Sequence, residues 1–345
     1  MPLPQPAQGR EIAADAVVDA AAVRAAAQRL AAGELVAFPT ETVYGLGARA
    51  DDDVAVGRIF AAKGRPSEHP LIVHVASIDA AFAFTPEPGD LARRLMAAFW
   101  PGPLTLIVPR HLGRAAAAAG GQASIGLRMP AHPVALALLR EAALLGVPGV
   151  AGPSANRFGR VSPTTAAHVR HEFGPGLLVL DGGACQVGIE SAIVDCTRAQ
   201  PALLRPGQLS RRDIEQVLGQ ALAAPDAASP RAPGTLAAHY APRARVALLD
   251  TPVLAARMAA EPEGAGGVEQ GVAGSVGVYS RLMPPVGLGW LWRQMPADAA
   301  AVAHELFGVM RDFDDADVAQ LWVEQPPAGP DWDGVRDRLQ RAAST

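Results

Sequence analysis

The feature that most constrains the fold of this chain is a succession of short apolar runs, each closed by Gly, Pro or a polar turn, with helix-spaced segments between them. The runs LVAFP, PLIVHV, PLTLIVP, ASIGLRMP, GVPGVAGP and ALLRPG have the length and β-branched content of strands, and LLVLDGG and ESAIVDC read as a further, mutually paired set. Between them, residues 19–32 form a helix that Asp19 caps and Gly33 stops. The segment DDDVAVGRIFAAKGR is helical too, with Asp51 to Asp53 at its positive end and Lys63 in its last turn. LARRLMAAF and HPVALALLREA follow the same spacing. Ser162 and Pro163 stand as N-cap and first residue before TTAAHVRHEF, and Ser210 caps the next helix with Asp213 at its third position. The pattern predicts a mixed α/β fold.

With 345 residues the chain exceeds the roughly 100 to 200 of one ordinary domain, so two are expected. The boundary falls where AAPDAASPRAPGTLAAHYAP turns into Ala, Pro, Asp and Ser, which gives a first domain over 1–221, a linker or lid over 222–243 and a second domain over 244–345. RVALLD, the helix TPVLAARMAA, a Gly-rich loop, VGVYS and a long helix-then-strand segment make the second part a small doubly wound unit. Its aromatics Trp290, Trp292, Phe307, Phe313 and Trp322 are assigned to its core rather than to a base-stacking platform.

Charge excludes a dedicated nucleic-acid binder: 30 basic against 34 acidic residues leave a net charge of −4, with no basic runs. Direct contact with RNA is therefore expected to be weak. Cys185 and Cys196 are the only cysteines and form neither a CxxC nor a zinc spacing, which suits a reducing cytoplasm. No uncharged apolar run reaches the ~18 residues of a membrane span, and the N-terminal stretch, broken by Glu11, Asp15 and Asp19, lacks a signal-peptide core.

The single lysine, Lys63, and the single asparagine, Asn156, stand out because Arg replaces Lys everywhere else. Asn156 has two equal readings: an amide that pins the loop presenting Ser154, or a turn residue held by its own backbone hydrogen bonds. General motif scans are negative. GLG at 45–47 lacks the third glycine of a dinucleotide fingerprint, Lys63 is followed by Gly64 and Arg65 rather than completing a P-loop, and GPSAN lacks the last glycine of a nucleophile elbow.

A more specific signal is the ordered series FPTETVYGLG, KGRPSEHPLIVHV, FWPGPLTLIVP, SIGLRMP, GPSANRFGRVSPT, GIESAIVDC, LLRPG and PGTLAAHYAP over the first 240 residues. In this series the chain resembles the YrdC-like domain family, in the long two-domain form of threonylcarbamoyl-adenylate synthases. The resemblance implies a YrdC-like twisted mixed sheet with helices, followed by a smaller Rossmann-like α/β domain. It also implies a nucleotidyltransferase that joins L-threonine, bicarbonate and ATP, with Mg2+ accompanying the ATP, and a product passed to downstream tRNA-modification machinery.

By match to the family motifs, Thr40, His74, Arg128 and Ser191 would hold threonine, with Arg128 on its carboxylate. Lys63, Ser67, Ser124, Ser154, Ser162, Arg205 and Tyr240 would contact ATP, and Lys63 with Arg65 would be catalytic. Taken singly, Thr40 is a loop cap, His74 a core imidazole, Arg128 an ion pair and Ser191 a strand hydroxyl; taken together they suit carboxylate and phosphate recognition. Lys63 and Arg65 lie two apart, so an extended segment would put both on one face. No carboxylate pair has metal spacing, so no protein metal ligand is expected and magnesium is assigned to the phosphates. The PGTLAAHYAP stretch has no basic residue before His239 and Tyr240, which leaves closure over ATP to that pair. Two other readings are an RNA-binding module, opposed by the charge, and a carbamoyl-transfer domain, opposed by the missing Cys-rich zinc segments.

Overall fold

The computed structural model describes residues 18–260, 276–283 and 291–344. The N-terminal stretch with Glu11 and Asp15, the Gly-rich loop of the second unit and Trp290 lie outside them. Nine strands form the larger sheet: β1 (Val36–Phe38), β2 (Gly45–Arg49), β3 (Ile72–His74), β4 (Leu104–Pro109), β5 (Ser124–Arg128), β6 (Val150–Ala151), β7 (Leu178–Val179), β8 (Ala192–Asp195) and β9 (Ala202–Arg205). Their order is β7-β1-β2-β6-β3-β5-β4-β8-β9, with parallel and antiparallel pairs mixed.

Strand alternation decides what this sheet carries on each face. Val73, Leu106, Val108, Ile125 and Leu127 point into one large apolar cluster with the helices Asp53–Lys63 and Asp90–Phe99. Ile72, His74, Thr105, Ile107, Ser124 and Arg128 alternate with them and therefore share the opposite face. Over β1 and β6 that opposite face is covered by the packed helices Ala20–Ala31 and Pro133–Leu144, which bury Val36, Phe38 and Val150. Each such side chain contributes about 1.5–3 kcal/mol when fully buried. Beyond Phe38 the helical cover ends. Its ring meets His74 edge-on at 5.5 Å, and from there the face carries the polar groups of His74, Arg128 and Thr105 beside a small apolar cluster of Ile72, Ile107, Ile193 and Ala232.

The second sheet is β10 (Arg245–Leu249), β11 (Val276–Ser280), β12 (Leu291–Gln294) and β13 (Gln320–Glu324), in the order β10-β13-β11-β12 with every pair parallel. Helices Thr251–Ala260, Ala299–Asp315 and Asp333–Ala342 accompany it. Phe307, Phe313 and Trp322 are buried and Trp292 is half-buried, so these four belong to packing as expected. The expected α/β class thus holds, with a large mixed sheet followed by a parallel one. Among the described residues no helix is long and apolar enough to cross a membrane.

Local expectations hold at two caps: Asp19 accepts N–H bonds from Ala21 and Ala22, and Ser210 from Asp213. In the Asp51–Asp53 run it is Asp52 that caps, accepting from Val54 and Ala55. Three others are corrected. LLVLDGG and ESAIVDC do not pair: β7 lies beside β1, whereas β8 lies between β4 and β9, because the connection between them is too long for a hairpin turn. Ser162 is not an N-cap; Thr165 caps the helix Ala166–Phe173 through His168 N–H. Lys63 and Arg65 do not share an extended segment, because Gly64, at φ 65°, ends the helix between them in a left-handed cap.

Candidate active site

A cleft of about 540 Å³, part of it open to solvent, lies on the polar face of the large sheet. Thr40, Arg65, His74, Arg128, Ser154, Ser191, Arg205 and Tyr240 all line it. Its walls are built from strand ends, where the chain leaves the sheet and side chains are held by rigid backbone on one side only.

One wall begins at the end of β1. The Thr40 hydroxyl accepts the N–H groups of Thr42 and Val43 and donates to the Val43 carbonyl at 2.6 Å, which folds the loop back on itself. Because its proton is spent there, the 2.8 Å contact between the two threonine hydroxyls is donated by Thr42. Arg128 in turn donates Nη1–H to Thr42 at 2.9 Å, so the hydrogen bonds run one way from guanidinium to loop. Arg128 also bonds the Gly102 carbonyl and pairs with Glu41 at 2.7 Å, both partners almost wholly buried. The parallel register of β3 and β5 sets His74 beside Arg128.

A second cluster forms where β8 and β9 meet the linker. Ser191 shares a 2.8 Å hydrogen bond with Thr105 and accepts from Arg205 Nη2 at 3.3 Å, while Arg205 Nε bonds the Ser191 carbonyl. Arg205 Nη1 reaches the Pro233 carbonyl at 3.0 Å and so ties the linker down over the cleft. Gly234 follows at φ 70°; a Cβ there would lie 2.2 Å from the Tyr240 hydroxyl and 2.8 Å from Arg205 Nη1. Only glycine allows this approach. Tyr240 itself is at φ 62°, buried, and stacked on Phe307 of the second unit at 5.5 Å.

Lys63 does not line the cleft surface. Its buried ammonium donates to the carbonyls of Ser154, at 2.6 Å, and Asn156, directly behind the wall that Ser154 presents. The Asn156 amide holds the same loop through the carbonyls of Arg157 and Arg160, each at 2.8 Å. Ser162 is fully buried and donates to Glu190. Ser124 is half-buried and lines an adjoining cavity of about 260 Å³ with Thr105, Gln122, Arg231 and Pro233. Ser67 is exposed and lines neither space.

Two carboxylates that the sequence did not single out complete the site. Glu41 neutralises Arg128 from behind. Glu190 lines the cleft and accepts from Ser162 and from Arg338 Nε at 2.8 Å. Its position inside GIES, between a glycine-rich turn and the start of β8, was the available signal.

The electrostatics favour an anion. Burial, and then the Arg65 charge, pull the Lys63 ammonium well below its usual range. Burial brings Arg65 down to about 10, with Arg205 adding to the effect. Burial and the Arg128 charge pull His74 down to about 3, so its imidazole is neutral at physiological pH. Buried cations that penalise one another gain when phosphate or carboxylate oxygens enter between them. Orphaned buried atoms mark the same place: Arg65 Nε, His74 Nδ1, His239 Nδ1 and the Tyr240 hydroxyl have no hydrogen-bond partner among the described residues.

A magnesium ion does not fit the protein groups here. Glu190 and Glu41 are already engaged by arginines, and no group of three His, Cys, Asp or Glu suited to a metal occurs among the described residues.

Residues 28–207 match the Sua5/YciO/YrdC family model, described as telomere recombination, and residues 209–344 match the model for the C-terminal domain of threonylcarbamoyl-AMP synthase. The threonylcarbamoyl-AMP synthase of Bacillus subtilis is 38% identical over 92% of this chain and 92% of its own length. That of Pyrococcus abyssi is 44% identical over 67% of this chain and 68% of its own. The crystal structure of P. abyssi Sua5 complexed with L-threonine superposes with a TM-score of 0.81 at 35% identity, covering 93% of this chain and 94% of that one. A variant of the same protein with one His and one Tyr replaced by Ala gives the same TM-score at 36% identity, covering 93% and 92% of the two chains.

Proposed function

The chain belongs to the Sua5/YciO/YrdC family in its two-part threonylcarbamoyl-AMP synthase form, and from that premise we propose how its cleft makes threonylcarbamoyl-AMP and pyrophosphate from L-threonine, bicarbonate and ATP. The product serves threonylcarbamoyladenosine formation in tRNA, with cytoplasmic tRNA-modification enzymes as its consumers. The observation that carries the reading is the meeting of a threonine-and-arginine cluster around Arg128 with a cationic cluster around Arg65 and Arg205 in one cleft.

In this reading threonine is held by Thr40, His74, Arg128 and Ser191. Arg128 spends one N–H group each on Gly102 and Thr42 and is charge-paired with Glu41, and its remaining donors, Nη2 among them, take the substrate carboxylate. Neutral His74 offers a ring nitrogen without adding charge that would repel the substrate ammonium. The threonine amine attacks carbon dioxide drawn from bicarbonate and loses a proton, giving an N-carboxylate. A carboxylate oxygen then attacks the α-phosphorus of ATP, and the bond to pyrophosphate breaks in line. The protein supplies orientation and charge, as phosphoryl and nucleotidyl transfers require.

Arg65 and Arg205 face the phosphates. Lys63 has two donors committed to the loop carbonyls, and its third N–H is the one assigned to the nucleotide. Ser154 and Ser124 lie along the nucleotide's path, with Tyr240 and the linker 222–243 closing over it. Ser162 contributes through Glu190, and Ser67 joins only if its exposed turn swings inward. Magnesium arrives on the phosphates of ATP. The test is pyrophosphate release from purified protein with ATP and magnesium, threonine and bicarbonate omitted in turn; release that ignores either omission contradicts the reading.

A further inference from the structure

We infer that Arg338, on the last helix of the second unit, is a positioning residue of the active site, fixing a cleft carboxylate and the tyrosine of the lid at once. The inference rests on the functional reading above and adds to it a task for the C-terminal unit.

Arg338 is wholly buried, although the other polar residues of its helix, Asp333, Arg336, Asp337, Gln340 and Arg341, all keep contact with solvent. Each end of its guanidinium meets the first sheet's connections. Nε donates to the Glu190 carboxylate at 2.8 Å and Nη2 to the Glu190 backbone carbonyl at 3.1 Å. Nη1 donates to the Pro206 carbonyl at 3.0 Å and to Asp337 at 2.7 Å. Glu190 precedes Ser191, and Pro206 follows Arg205, so one side chain holds the backbone on both sides of the Ser191–Arg205 contact. The flat face of the guanidinium lies 5.2 Å from the centre of the Tyr240 ring, which Phe307 supports as well.

The surrounding contacts repeat the arrangement. Gly334, one turn earlier, packs so closely that a Cβ would lie 2.7 Å from the Gly207 carbonyl. Arg341, one turn later, donates to the Leu236 carbonyl of the linker, and its own carbonyl accepts the His239 N–H. The helix thus touches the β8 entry, the β9 exit and the lid. A planar fork with donors on three sides is needed for this, and an ammonium at the same place would serve fewer of the acceptors.

The discriminating variant is Arg338→Lys in the full-length protein, assayed for threonine- and bicarbonate-dependent pyrophosphate release well below its melting temperature. The expected result is a KM for ATP raised about 10-fold, with a smaller rise in the KM for threonine transmitted through Ser191. Arg338→Met leaves Glu190 buried and unpaired; it melts earlier, and adding Glu190→Gln recovers the melting temperature without recovering the ATP KM. Wild-type kinetics in Arg338→Lys, or an ATP KM restored together with the melting temperature, overturns the positioning role while leaving the functional reading intact. No dependent release from the wild type itself overturns that reading and this inference with it.

Discussion

Lys63, the single lysine of the chain, donates its buried ammonium to the carbonyl oxygen of Asn156, its single asparagine. A second bond to the Ser154 carbonyl makes this ammonium the tie that shapes the GPSAN loop from behind, and the remaining N–H is the one the proposed mechanism assigns to the nucleotide. A planar guanidinium cannot place short donors on both carbonyls and keep a third in the same small volume. Lys63→Arg is therefore expected to lower turnover about 100-fold, the scale of losing one preorganised donor. Pyrophosphate release near the wild-type rate would return the lone lysine to coincidence.

Glu41 is expected to act on threonine through Arg128. Glu41→Gln keeps the shape but leaves the Arg128 charge without its buried counter-charge, which costs about 3 kcal/mol of stability. The KM for threonine should rise while that for ATP stays put, since Glu41 lies behind the Arg128 cluster only. Denaturant titration and a two-substrate kinetic grid check both halves, and an unaltered threonine KM would count against the pairing.

Gly234→Ala should weaken the lid selectively. The left-handed backbone costs about 1–2 kcal/mol for a residue with a Cβ, and that Cβ meets the Tyr240 hydroxyl and Arg205. Relief comes by lifting the linker, so ATP affinity should fall with little change in threonine affinity. Equilibrium binding of a non-hydrolysable ATP analogue reads this directly; unchanged affinity means the linker does not close on nucleotide.

Acid sensitivity follows from the histidines of the site. His74 and His239 are each pulled down to about 3, by burial first and then by neighbouring cations, against an unfolded value near 6.5. Between about pH 6.5 and 3 the unfolded chain binds protons that the native chain refuses, so stability falls as pH drops through that window and is level above it. Each group adds a slope of up to about 1.4 kcal/mol per pH unit. Denaturation midpoints at pH 7, 5.5 and 4.5 should show this, and His74→Asn should flatten the slope by one group's share. An unchanged slope would mean His74 is protonated in the native state.

Much of the fold was legible because β-branched runs such as Ile72–His74 and Ala192–Asp195 sit between strong breakers, and because Asp19 and Ser210 are side chains whose capping chemistry is local. Pairing was less legible: LLVLDGG and ESAIVDC end up far apart in the sheet, since short-range pattern carries no information on which strand lies beside which. Among the site residues, motif matching selected side chains that line the cleft, including Thr40, His74, Arg128, Ser191 and Arg205. It missed Glu41, Glu190 and Arg338, whose meaning lies in partners 87 or 148 residues away. It also put Lys63 and Arg65 on one face of an extended segment, whereas the left-handed Gly64 ends a helix between them, a choice that backbone geometry makes and spacing does not record.

The central claim is tested most directly by mass spectrometry of the products formed from ATP, magnesium, threonine and 13C-labelled bicarbonate, with serine replacing threonine in a parallel reaction. The account predicts an adenylate of threonylcarbamate carrying one labelled carbon, together with pyrophosphate. Unlabelled adenylate, or ATP consumption with no threonine-containing adenylate, would contradict it.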